Sequence, residues 1–230
     1  MSTYFTYADI KAKVERDLDL EGETFITDEE MLGYANEAID EVEKDIHTLC
    51  EDYFLTRSTI TLVSGQEEYT LPTDIYAMKI RDIEYKNGSE AWTLVRCRDW
   101  MKFKNYTANL INNSGTKKYG YFILNTVAGS PKLLLTPSPN ESGAYLTMWY
   151  IRNANTMVDT TSICDIPEAV NYVMQYMKVK CSQKELHPNL QGMLNDLEVM
   201  KQKVLAVLAE MYPDNQSDIE PDTRHYEEMS

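Results

Sequence analysis

The sequence predicts an α+β fold, an antiparallel helical bundle with an antiparallel β-sheet or small β-barrel domain inserted between its N- and C-terminal helices. Three observations predict it. Apolar residues recur at three-four spacing near both ends of the chain, as helices with one buried face require. Between them lie short β-rich segments separated by Gly, Pro and Asn, with no helical pattern among them. The charge changes where the pattern changes: residues 15–52 hold fifteen acids and two bases, residues 53–163 nine acids and twelve bases, and residues 164–230 twelve acids and six bases. The expected division is a bundle from 1–53 with 164–212, a β-rich insertion at 54–163, and an acidic tail or docking arm at 213–230.

Size and composition set the frame. The 230 residues suffice for one large domain or two small ones, and 43% apolar with 26% charged residues is ordinary for a folded chain. No apolar run approaches the roughly eighteen residues of a membrane span. Met1-Ser2-Thr3-Tyr4 opens no secretory leader. Cys50, Cys97, Cys164 and Cys181 form no close pair and read as reduced, partly buried thiols. The net charge of −15, concentrated in the first helical region, repels a phosphate backbone rather than gripping it.

The first helix starts at Thr6-Tyr7-Ala8-Asp9, with Thr6 as N-cap and Ile10, Val14 and Leu18 on one face; Gly22 ends or follows it. Thr27-Asp28-Glu29-Glu30 is a capping box. The helix behind it carries the stripe Leu32, Ala35, Ile39, Val42, Ile46, Leu49, Tyr53, which needs a helical partner.

The joint between helices and strands runs from Val63 to Tyr85. Ser64-Gly65 makes a tight turn, Tyr69 and Leu71 alternate with polar neighbours, and Pro72 ends that strand. Ile80, Ile83 and Tyr85 continue to an Asn87-Gly88 hairpin. Strands follow at 91–95, 119–124, 132–136 and 145–151, with a short helical turn at 99–103 and a loop at 112–116. Asp165 as N-cap, with Pro167 in the first turn, opens a third long helix with Val170, Val173, Met177 and Cys181 on one side. His187-Pro188 breaks it. A fourth helix, about 189–211, places Leu190, Met193, Leu197, Met200, Val204, Val207 and Met211 in a stripe, and Tyr212-Pro213 stops it. The remainder holds six acids and one base, too polar to fold alone.

Reactive chemistry is sparse. The chain has neither a phosphate-cradling glycine loop nor a G-x-S-x-G elbow, no ligand spacing marks a metal site, and no cofactor is implied. His47 and Cys50 stand three residues apart on a helix without the third group a thiol nucleophile uses. The expectation is therefore no enzyme. One basic, aromatic patch stands out. Arg96, Arg98, Lys102 and Lys104 interleave with Trp100, Phe103 and Tyr106, and Lys117 and Lys118 follow. Such a patch suits a protein interface through Arg96, Arg98, Trp100, Lys102 and Phe103. The alternative is a single-stranded nucleic-acid binder.

The order of these pieces carries a resemblance. T-D-E-E-M-L-G-Y-A-N-E-A-I-D-E is followed by V-S-G-Q-E-E-Y-T-L-P-T-D-I-Y, then strands, then a helical pair opened by D-I-P-E-A-V. From Thr6 to about Met211 the chain resembles the head-to-tail adaptor (connector) proteins of tailed, particularly short-tailed, bacteriophages. It is more distantly similar to the T7-type tail tubular protein A. The resemblance implies a structural virion protein at the head-tail junction, made in the bacterial host cytoplasm. It implies a homo-oligomeric ring of about twelve copies, bound to the portal protein and to tail or nozzle proteins. Double-stranded DNA would pass through its channel without specific binding, and no membrane is involved. By that likeness Tyr212, Ile219, Arg224, His225 and Tyr226 belong to a portal-docking arm. Asp28, Glu29, Glu37, Asp40, Glu41 and Asp45 are then candidates to face the channel.

Overall fold

Thr6 and Thr27 start the first two helices by the same device. Each hydroxyl accepts from the backbone N–H three residues on, and the acid at that position, Asp9 or Glu30, accepts from the threonine's own N–H. The computed structural model describes residues 5–22, 25–110, 119–124, 130–140 and 142–211, with 106–110 described by their backbone alone. The chain divides into two compact units. One takes the described residues up to Glu51 and those from Ala154 onward, and the other is Asp52–Asn153.

In the first unit α1 is Tyr7–Asp17 and α2 is Asp28–Leu49. A 3₁₀ turn, Pro167–Ala169, leads into α4, Val170–Lys184, and α5 is Leu190–Met211. The helix α4 touches α1, α2 and α5. It is accordingly buried on most of its circumference: Tyr172, Val173, Met174, Met177, Val179 and Cys181 are all covered. The stripe on α2 is Met31, Ala35, Ala38, Ile39, Val42 and Ile46. It differs from the expected one at its ends. Leu32 is half-buried and Leu49 is 50% exposed, while Met31 at one end and Ile46 and His47 at the other are buried. Asp165 is not the N-cap of the third helix. Its carboxylate accepts from the N–H of Asn155 at 2.8 Å, and the helix start has no side-chain cap.

Residues 154–163, which the sequence groups with the strands, pack against α1 and α2. Asn36 donates to the carbonyl of Met157 at 2.9 Å and accepts from its N–H at 2.8 Å. Ala154 N–H donates to Glu43 at 2.7 Å, and Tyr7 N–H to the Ser162 carbonyl at 2.8 Å. An amide side chain such as Asn36 on a helix flank gives no sign of a partner 121 residues away.

The described residues of the second unit form eight strands and one helix. The strands are β1 Leu55–Thr61, β2 Glu68–Thr70, β3 Ile75–Asn87, β4 Glu90–Thr93, β5 Val95–Arg96, β6 Gly120–Leu124, β7 Lys132–Thr136 and β8 Tyr145–Arg152; α3 is Trp100–Leu110. They form two four-stranded sheets, ordered β1-β8-β3-β4 and β2-β7-β6-β5. The barrel expectation is corrected: among the described residues each sheet keeps two edges, and neither closes on itself. Ile83, Tyr85, Leu146, Met148 and Tyr150 from the first sheet share one core with Tyr69, Tyr121, Leu133 and Leu135 from the second.

The short helical turn expected at 99–103 is the beginning of a longer helix. The helix α3 connects β5 to β6, and these two strands run parallel, which a tight turn cannot achieve. It covers the far side of the second sheet. Along β6 and β7, Tyr121, Leu133 and Leu135 face the shared core, while Phe122 and Leu134 join Cys97 and Phe103 under α3.

The 63–85 stretch carries two turns and a kink. Gln66 N–H donates to the Val63 carbonyl at 3.1 Å with Gly65 at φ +78°, the type II arrangement that favours glycine. The Tyr69 hydroxyl donates to the Gln66 carbonyl at 3.0 Å and accepts from Val63 N–H at 3.2 Å, tying the turn to β2. Ala77 and Met78 adopt φ +44° and +56°, and the β3–β8 register shifts across them, between Ile75 and Ile80, and again between Ile80 and Asp82. At the hairpin, Asn87 pairs with Glu90, so Gly88-Ser89 is the loop, with Gly88 at φ +59°. Glycine at the first central position is the type II′ pattern, one residue later than the expected Asn-Gly turn.

Candidate functional site

Three surfaces carry the expected functional residues: the acidic flank of α2, the β5–α3 corner, and the end of α5.

The acidic flank is laced to its neighbours. Asp28 pairs with Lys11 of α1, and Glu37 with Lys180 of α4 at 2.9 Å. Glu41 and Asp45 share Lys201 of α5 at 2.9 and 3.0 Å. Glu30, the capping residue, takes Lys184 at 2.7 Å, and Lys184 also donates to the Phe25 carbonyl at 2.8 Å. Of the six candidate channel-facing acids, Glu29 and Asp40 are exposed without an ion-pair partner among the described residues. Four therefore serve first as interhelical ties. One turn separates Glu37 from Glu41, and another Glu41 from Asp45. The spacing that makes an acidic face on α2 also presents these residues to lysines on the packed helices.

The ties carry a pH dependence. Hydrogen bonds from Lys184 hold Glu30 below its usual range, and those from Lys13 and Lys178 do the same for Asp17. At Glu41 burial works against the charge, yet Lys201 still brings the carboxyl below its ordinary value. Folded pKa values below the unfolded ones give stability that is complete above the ordinary carboxylate values, 4.5 for Glu and 3.8 for Asp, and lost as pH falls through the lowered ones. The denaturation midpoint is expected to hold from about pH 7 to about pH 5 and to fall steeply by about pH 3. In Lys184→Met that acid-side slope becomes shallower; an unchanged slope would remove the Lys184–Glu30 tie from the account.

At the β5–α3 corner, Asp99 caps α3, its carboxylate accepting from the N–H groups of Met101 and Lys102 at 2.7 and 3.0 Å. Arg96, Cys97, Arg98, Asp99, Met101 and Lys102 line a pocket of about 740 Å³. Arg96, Arg98 and Lys102 are exposed. The sheet unit's other described cations are engaged. Arg81, Lys86 and Lys132 have carboxylates, and Arg57, Lys79, Lys104 and Arg152 lie over aromatic rings. Arg96, Arg98 and Lys102 have neither among the described residues.

The aromatic half of the patch behaves differently from the expectation. Phe103 is buried, with Cys97 and Leu134. Trp100 stacks on Phe103 at 5.6 Å, meets Phe122 edge-on at 5.5 Å, and has Lys104 over its ring at 5.4 Å. The rings hold α3 to the sheet, and the corner presents its cations together with the open part of Trp100. The side chain of Tyr106, and Lys117 and Lys118, lie outside the described residues, as does the expected loop at 112–116.

The helix α5 is long but thinly covered. Of its 22 residues Val204 and Leu208 are buried, while Val199, Val207 and Met211 are 52%, 44% and 51% exposed. The expected stripe from Leu190 to Met211 is thus half-covered along most of its length and open at its end. The docking-arm residues Tyr212, Ile219, Arg224, His225 and Tyr226 lie outside the described residues.

No reactive centre assembles among the described residues. The Cys50 thiol donates to the Leu208 carbonyl at 3.5 Å, and His47 meets Glu43 at 3.2 Å, so the two do not form a nucleophile pair. Burial raises all four thiols, Cys164 and Cys181 to about 11, which keeps them protonated. Among the described residues no group of three or more His, Cys, Asp and Glu is placed to hold a metal ion, and no helix is long and apolar enough to cross a membrane.

What the chain offers is surface: open cations on a sheet edge and open apolar area on a terminal helix, the equipment of a structural, partner-binding protein. The family model described as SU10 adaptor protein matches residues 5–219. The chain belongs to the SU10 adaptor protein family, and with it to the structural adaptor proteins of phage virions. No curated protein matches the chain.

Proposed function

We propose that this adaptor forms a closed ring of about twelve copies that links the portal to the tail and extends the DNA channel for genome retention and ejection. The family membership supports a place between head and tail, and the observation that carries the reading further is the end of α5. Val199, Val207 and Met211 leave apolar area open on the helix that leads into the arm from Tyr212. Exposed apolar surface next to a polar arm is the arrangement of a segment that orders on a partner. The portal is that partner, with Tyr212, Ile219, Arg224, His225 and Tyr226 as its contacts. The helical unit serves the portal, and the sheet unit serves a tail component or a neighbouring subunit through Arg96, Arg98 and Lys102. Acids on α2, Glu29 and Asp40 first, face the channel, where like charge lets DNA slide without adhering.

Deleting Asp214–Ser230 is expected to weaken assembly on the portal by at least about tenfold, or about 1.4 kcal/mol, with the helical circular dichroism and melting midpoint unchanged. Assembly of the truncated chain with full affinity would sink the docking arm. Electron microscopy of the protein with its portal tests the ring directly.

A further inference from the structure

We propose that the β5–α3 pocket receives the acidic arm, residues 212–230, of a second copy of this chain. This inference deepens the ring reading by naming a clasp between copies.

The pocket asks for anions. Arg96 and Arg98 lie at and just beyond the end of β5, an edge strand, and Lys102 adds a third cation from the first turn of α3. Asp99, the acid among them, is already taken by the helix N–H groups. Edge strands commonly carry charges that keep other strands away. That account needs no pocket, and it does not explain three neighbouring cations left without carboxylates in a chain of net charge −15.

Two features select an acidic polypeptide over nucleic acid. A single-strand binder pairs its cations with rings that bases stack on. Here Phe103 is buried, which leaves Trp100, 44% exposed and already in contact with Phe103, Phe122 and Lys104, as the single open ring among the patch's described side chains. Arginine also grips carboxylates in a bidentate fork, so two arginines and a lysine suit several acids in extended chain.

The sequence names the acids. On the helical unit Asp17, Asp28, Glu30, Glu37, Glu41 and Asp45 are tied to lysines. Beyond Met211, nineteen residues carry Asp214, Asp218, Glu220, Asp222, Glu227 and Glu228 against Arg224 alone. Extended, a segment of that length reaches up to roughly 60 Å, ample for a neighbouring subunit. The two tasks of the arm use different side chains, carboxylates for the neighbour's pocket and the aromatic, apolar and basic groups for the portal.

The test uses the full chain, as an equal mixture of normal and nitrogen-15-labelled protein at low salt. A carbodiimide joins amines to carboxylates in direct contact, and mass spectrometry reads the products. Mixed-isotope cross-links are expected between Lys102 or Lys104 and the acids at 214–228. Their yield should fall by at least about tenfold in Arg96→Glu/Arg98→Glu, and also at about 1 M salt, where the screening length is near 3 Å. Lys203→Glu, which removes an exposed lysine of α5 far along the chain, should leave them intact. Thermal melting confirms that each variant is folded. Absence of mixed-isotope cross-links, or links indifferent to the arginine reversal, overturns the clasp. Their loss to an equimolar single-stranded oligonucleotide overturns it in favour of nucleic acid. A ring seen by microscopy without these links would leave the ring reading standing and remove the clasp alone.

Discussion

Replacing Leu146 by alanine is expected to destabilise the sheet unit by about 3–4 kcal/mol. Leu146 is fully buried on β8, the strand between β1 and β3, and stands opposite Ile60 on one side and Tyr85 on the other. Removing its branch leaves a cavity whose walls are hydrogen-bonded strands, which cannot collapse into it, so the loss falls in the upper part of the usual range. All three tryptophans, Trp92, Trp100 and Trp149, lie in this unit, so denaturant unfolding followed by tryptophan fluorescence reports on it alone. Tyr145→Ala is the control. It is one residue away, on the opposite face of the strand and 39% exposed, and should cost under about 1 kcal/mol. Equal costs for the two would contradict a core shared between the sheets.

Val173→Asp is expected to prevent the helical unit from reaching its native state near neutral pH. Val173 is completely buried on α4, the helix that touches α1, α2 and α5. Valine and aspartate are close in size, so the change adds little strain and isolates the charge. An unpaired carboxylate taken out of water costs several kcal/mol, or forces the group to stay protonated at a comparable cost. Domain stabilities are only about 5–15 kcal/mol in total. Val173→Thr provides the neutral comparison: a buried hydroxyl should cost about 1–3 kcal/mol and leave a folded protein. Helical circular dichroism separates the two, and a native spectrum for Val173→Asp would mean that α4 is not at the centre of the unit.

The α2 flank and the β5–α3 corner changed character for the same reason. On sequence alone, an acidic helix face and a basic, aromatic patch are both sets of groups facing water. In three dimensions Lys180 and Lys201 reach α2 from residues about 140–160 positions later in the chain and, with Lys11 of α1, pair four of its six candidate acids. At the corner Phe103 turned inward, Trp100 stayed 44% exposed, and the cations did not turn in. A ring gains by burial against Phe122 and Cys97, whereas a guanidinium loses hydration unless a carboxylate meets it. The basic residues of the patch were therefore legible in the sequence as exposed groups, and the burial of Phe103 was not.

The length of α3 was hidden because its described turns carry a single buried anchor, Phe103, and no repeating stripe. The strand regions were visible from alternation and turn residues, since side chains on opposite faces of a strand meet different media. The pairing of those strands into two sheets, including the parallel β5–β6 pair, was not. Pairing is decided by which apolar faces meet, a property of the whole set of strands and not of any one of them.

By itself the sequence determined where helices start, through the Thr6 and Thr27 capping boxes, and where the 63–66 turn falls, through Gly65. It also determined which faces of α2, α4 and the strands seek cover. These are local matters, settled by hydrogen bonds and periodicities a few residues long. The tertiary structure alone decided that 154–163 belongs with α1 and α2, that the sheets do not close, and which acids and cations are left for partners. Each of those depends on groups far apart in the chain finding one another, because a buried polar group or charge is tolerated only where its partner arrives.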